Sequence, residues 1–117
     1  SLDYERHKLY VSLILGGKNM GALTKAEAHD CLKELNEFLA AKDENKEEDV
    51  SVVQALITRG ALRASALKEP RRGLDDLARA KIIMLKAGEN DDSSEEYRAL
   101  WRESITGTSR LWEGSGL

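Results

Sequence analysis

Pro70 is the single proline in a chain of 117 residues, and on both sides of it the apolar residues return at three and four positions rather than at two. Proline opens or ends helices, so a lone proline leaves room for long uninterrupted ones. Short alternating runs of Val, Ile, Tyr and Thr, which mark half-buried strands, are almost absent. A period of three and four belongs to amphipathic helices. The expected fold is all-α, about five helices in a single domain over 1–117.

Start and stop signals divide this pattern. Asp3 is placed to cap a first helix over about 4–16, with Tyr4, Val11, Ile14 and Leu15 on one stripe and Gly16-Gly17 as its stop. Thr24-Lys25-Ala26-Glu27 reads as a capping box, in which the first and last residues each satisfy a backbone N–H of the other. A second helix then covers about 25–41, with Ala28, Cys31, Leu32, Leu35, Phe38 and Leu39 repeating at three and four. The short link between these helices makes them an antiparallel hairpin over 1–41.

The fully polar run 42–49 is a charged linker, either solvated loop or in part a helical extension of the second helix. Asp49 caps a third helix with Val53, Leu56, Ile57, Gly60, Ala61, Ala64 and Leu67 facing inward. A fourth helix is expected over about 71–87, with Leu74, Leu77, Ala78, Lys81, Met84 and Leu85 on its buried side and Gly88 beyond its end. The third and fourth helices form a second hairpin over 50–88. Ser93 and Glu96 repeat the capping-box spacing and open a fifth helix over 93–112, interrupted at Gly107; residues 113–117 should fray.

The stretch 53–87 resembles a tetratricopeptide repeat, a pair of antiparallel helices with small residues where they touch. Leu56 stands at the first large position and Gly60, in Thr58-Arg59-Gly60-Ala61-Leu62, at the small one. Gly73, Leu77 and Ala80 follow the pattern of the second helix. Gly60 and Gly73 are 13 apart where the family shows 12, the leading aromatic is missing, and no proline follows the fourth helix. Residues 4–41 match more loosely, through Gly16 and Ala28. The resemblance implies two stacked hairpins in a right-handed superhelix, closed by the fifth helix as a cap in which Trp101 covers the preceding pair.

Charge and composition narrow the function. Eighteen Lys and Arg against 21 Asp and Glu give a net charge of -3, which disfavours a partner bound through nucleic-acid phosphates. No apolar run approaches membrane-spanning length. The single cysteine forms no internal disulfide and suits a reducing compartment, so the expected location is cytoplasmic. The charge is also unevenly spread. Residues 59–81 carry a local +4 and residues 43–49 a local -4.

No catalytic constellation emerges. Cys31 lies on the apolar stripe of its helix, where cysteine behaves as a small hydrophobe, and His29 points elsewhere. His7, His29 and Asp30 share no metal-ligand spacing, so neither metal nor cofactor is expected. Gly16-Gly17 and Gly21 follow no strand and lack the ending of a phosphate loop. Asp75 and Asp76 diverge around the helix, and near its start they complement the macrodipole. Ser93 and Ser94, in an acidic setting suited to phosphorylation, are already accounted for by the cap.

The expected function is a noncatalytic protein-interaction module, an adaptor or assembly chaperone. Arg59 and Arg63, four apart beside Leu56, resemble in spacing the basic pair with which tetratricopeptide domains grip acidic C-terminal peptides. The resemblance implies a peptide site at Arg59, Arg63 and Leu56, whose charges can be reversed without harm to the fold. The lysine and asparagines that complete such a grip are not identifiable. Trp112 is the expected contact for another protein or domain. The alternative is a structural or oligomerisation domain of a larger assembly.

Overall fold

A computed structural model describes residues 23–88, and the described part is all-helical. Its three helices are α1 (Lys25–Glu44), α2 (Val50–Ser65) and α3 (Pro70–Gly88). The helices expected over 4–16 and 93–112 lie outside the described residues, as do His7, Trp101 and Trp112.

Each described helix starts where its capping chemistry directs. Thr24 N–H donates to Glu27 Oε1 at 3.0 Å, and Glu27 N–H donates to Thr24 Oγ1 at 3.1 Å, the reciprocal box expected from the sequence. Asp49 Oδ1 accepts from Val52 N–H at 3.2 Å and also from the Ser51 hydroxyl. Pro70 is the first residue of α3, where its fixed φ suits the helix and its missing N–H costs nothing.

The turns close by backbone bonds across lysines in the left-handed region. After α1, Lys46 N–H donates to Asp43 C=O at 3.0 Å and Glu47 N–H to Lys42 C=O at 2.9 Å. This is a Schellman closure, with Lys46 at φ 55° where glycine is usual. After α2 the reversal is wider. Lys68 stands at φ 57°, and Glu69 N–H reaches Arg63 C=O at 2.7 Å. Of the two readings of the charged stretch 42–49, the helical extension holds for its first three residues, which lengthen α1 by nearly a turn, and its remainder is a closed turn.

Helix α2 is the centre of the described fold, because apolar side chains leave it in two directions. Ala55 and Leu62 meet Ala28, Cys31, Leu35 and Phe38 of α1. Val52, Val53, Leu56, Ile57 and Ala61 meet Leu77, Ala80, Ile83 and Met84 of α3. A helix apolar nearly all round belongs inside a bundle.

The packing against α3 is close enough to depend on two glycines. A Cβ on Gly60 would stand 2.8 Å from the Gly73 carbonyl oxygen, and one on Gly73 would stand 2.5 Å from that of Gly60. Neither distance is tolerable for a real side chain, so the backbones meet here because both Cβ atoms are missing.

The stripe expected on the last helix is rotated. Leu77 and Met84 are buried as anticipated, but Ala80 and Ile83 complete the packed side, whereas Ala78 and Leu85 are exposed. The physical reason is that α3 is apolar on two faces. Its inner face runs through Gly73, Leu77, Ala80, Ile83 and Met84, and a second ridge runs through Ala78, Ile82 and Leu85. Periodicity alone selects a sector between them.

Candidate functional site

Two arginines one helical turn apart project from the same side of α2, and both reach Asp76 of α3. Arg59 makes a two-pronged contact, Nε to Oδ2 at 3.0 Å and Nη2 to Oδ1 at 2.6 Å. Arg63 adds Nη1 to Oδ2 at 2.9 Å. The remaining Arg59 prong, Nη1, donates to Asn36 Oδ1 of α1 at 3.0 Å. One planar guanidinium thereby ties all three described helices together, a geometry that the ammonium of lysine would not reproduce.

The cluster is largely withdrawn from water. The Asp76 side chain is 5% exposed, and those of Arg59 and Arg63 are 16% and 14%. Arg63 Nε is buried without a hydrogen-bond partner among the described residues. With two guanidiniums on one carboxylate, the cluster carries a formal charge of +1. Asp76 accepts three charge-assisted hydrogen bonds, which engage both of its carboxylate oxygens within the fold.

This geometry corrects three expectations. Arg59 and Arg63 do face a carboxylate, but it is internal and occupies the place anticipated for that of a peptide. Leu56 is fully buried in the core between α2 and α3, so it presents nothing to a partner. Asp76 points inward to the arginines instead of simply complementing the helix dipole, while Asp75 is exposed. A sequence signal for Asp76 was present. It falls at Gly73+3 and Ala80-4, on the inner stripe, where a carboxylate requires cationic partners to be buried.

A second charged node closes the turn between α1 and α2. Lys42 Nζ donates to Asp49 Oδ2 at 2.9 Å and to Glu47 Oε2 at 3.0 Å, and it stands 5.7 Å from the centre of the Phe38 ring. The hydrogen bond to Asp49 raises the Lys42 ammonium above its ordinary pKa; burial opposes this, and Glu47 reinforces it. Burial pushes the Asp49 carboxyl up, but bonds from Ser51, Lys42 and Val52 outweigh it and hold the group below its ordinary value. The node ties the cap of α2 to the end of α1.

Cys31 is 1% exposed. Burial, with the charges of Asp30 and Glu27, pushes its thiol up, away from the thiolate that reactivity requires. Among the described residues, no group of three or more His, Cys, Asp or Glu is arranged to hold a metal ion. No described helix is long and apolar enough to cross a membrane. A hollow of about 390 Å³ beside the start of α3 is lined by Glu69, Pro70, Arg71 and Arg72. Its carboxylate faces Arg72 at 3.5 Å, with no second acid or nucleophile among the described residues of the wall.

The large apolar side chains exposed among the described residues are Ile82 and Leu85, at 54% and 56%. They lie three apart on α3, with exposed Ala78 four residues before Ile82. Comparison of the chain with protein-family models, curated proteins and solved structures found no match.

Proposed function

We propose that the chain is a noncatalytic protein-interaction module of tetratricopeptide-like design, an adaptor or assembly chaperone that holds a segment of a partner protein in the reducing cytoplasm. The observation that carries this reading is the reciprocal Gly60–Gly73 contact between α2 and α3. Small residues at the point where paired helices touch are what the sequence resemblance rests on. Such pairs stack into scaffolds whose extended surfaces meet other chains. The basic excess over 59–81 suits an acidic partner segment. In this reading Arg59 and Arg63 contribute by holding α3 in register through Asp76.

Ile82 and Leu85 also bear on the alternative, a structural or oligomerisation domain, since a second copy too would remove their apolar surface from water. Amine-directed cross-linking in an extract of the source cells, read by mass spectrometry, separates the two. The interaction module gives links from its described lysines to a different polypeptide, and the purified chain scatters light as a monomer. Links only between copies, with a dimeric or larger mass, would replace the adaptor reading by the oligomerisation one.

A further inference from the structure

The second apolar ridge of α3 is unused by the described fold. Ala78, Ile82 and Leu85 follow one another at four and three, which places them along one line of the helix for about 10 Å. Scattered apolar residues on a surface are ordinary, but here the exposed large ones share a helix face directly opposite the buried stripe. The flanks of the ridge are basic, with Arg79 and Lys86 on one side and Lys81 on the other; Asp75 is the acid at its far end. Among the described residues, Arg79 and Lys86 have loose, exposed counterions, Asp43 at 3.5 Å and Glu48 at 4.0 Å, which water and salt weaken.

We propose that this ridge is the docking surface for an amphipathic helix of a partner protein, one with apolar residues at three-four spacing and acidic flanks. The inference rests on the interaction-module reading and names its partner class. Charge decides between a partner and a second copy. A second copy would bring the same cations against Arg79, Lys81 and Lys86, and like charges across an interface oppose association. Acidic flanks would neutralise them while the apolar line covers Ile82 and Leu85. Helix shape follows from the ridge itself, because a narrow line of side chains at helical spacing seats in the groove between the side-chain rows of another helix. The ridge is smaller than a standard protein interface, so a micromolar Kd is expected.

The probe is a designed helical peptide with leucines at positions i, i+4 and i+7 and glutamates on both flanks, compared with the same peptide carrying lysines instead. Fluorescence anisotropy with the full chain should show the glutamate peptide binding at least tenfold more tightly, and more weakly as salt rises. Ile82→Ser with Leu85→Ser should reduce that binding at least tenfold while the far-ultraviolet circular dichroism spectrum and melting temperature hold. Lys81→Glu with Lys86→Glu should shift preference toward the lysine peptide. Equal affinity for both peptides, or binding indifferent to the serine variant, would overturn the proposal. So would a dimer in sedimentation that Leu85→Ser abolishes, since a second copy would then own the ridge. If the ridge fails while native cross-links run from Lys25 or Lys33 of α1 to another protein, the module reading survives with its surface elsewhere.

Discussion

Against α3, helix α2 sets bare backbone on bare backbone at Gly60 and Gly73 within an apolar seam; against α1 it brings side chains throughout. The first contact is governed by the missing Cβ atoms of Gly60 and Gly73 and by a buried ionic cluster beside them. The second is filled by Cys31, Leu35, Phe38, Ala55 and Leu62, with its charges gathered at the turn. The two differ in how they absorb change. Side chains can rotate and repack around a lost methyl group, whereas a carbonyl oxygen locked in a helix has nowhere to go.

The sharpest test of this difference is Asp76→Ala. It leaves two largely buried guanidiniums facing each other, and loss of one member of a buried pair costs about 3–5 kcal/mol. Urea unfolding should show a loss at or near that range. The triple variant Asp76→Leu, Arg59→Met, Arg63→Met should recover most of it, because apolar replacement of a whole buried ionic group is often neutral or better. Arg59→Glu with Arg63→Glu should destabilise as well.

Next in size is Gly73→Ala. Alanine is the better helix former by about 1 kcal/mol, yet the clash with the Gly60 carbonyl should reverse the sign and leave a net loss of about 2 kcal/mol. Cys31→Ala, a buried deletion on the other side of α2, should cost about 1 kcal/mol. If the two variants unfold at the same urea concentration, the contrast between the interfaces collapses.

Acid should act on the α1 side. Asp49 titrates below its ordinary value in the folded chain, so the stability it contributes is in place above the unfolded-state value of about 4 and is lost as pH falls through the folded one. Lys42 is raised, so its contribution is in place below about 10.4 and is lost as pH rises through its folded value. Asp49→Ala should cost about 1 kcal/mol near neutrality and flatten the acid limb of stability against pH. An acid limb unchanged in this variant would place the sensitivity elsewhere.

The smallest effect is a gain. Lys46→Gly relieves a left-handed backbone that disfavours a side chain, and should add about 0.5 kcal/mol after the greater freedom of glycine in the unfolded chain is subtracted. A loss instead would mean that the Lys46 side chain contributes more than its backbone costs.

Much of the described helical frame was legible in the sequence. Thr24, Glu27, Asp49 and Pro70 mark their boundaries because capping is local chemistry, decided within four residues. The buried side of α1 and the α3-facing side of α2 follow the three-four repeat for the same reason, whereas Ala55 and Leu62, which face α1, lie outside the expected stripe. The rotation of α3 was not legible, since a helix with two apolar faces offers two stripes and only its neighbours choose between them. The fate of Arg59 and Arg63 was hidden differently. Spacing put them on one face, but their counterion lies 13 to 17 residues away, and exposed arginine is the usual state. The left-handed lysines at 46 and 68 carry no local signal, because lysine is not a residue that turns of this kind select.

The reciprocity of the Gly60–Gly73 contact has a consequence for how this sequence can drift. In most cores a side chain that grows at one position is accommodated by one that shrinks at its neighbour, and pairs of residues wander together. Here neither partner has anything left to give up, and each would strike the other's main chain. No compensating second mutation exists at the facing site, so change at either position has to wait for the two helices to move apart. The contact is a fixed point from which the rest of the hairpin can vary.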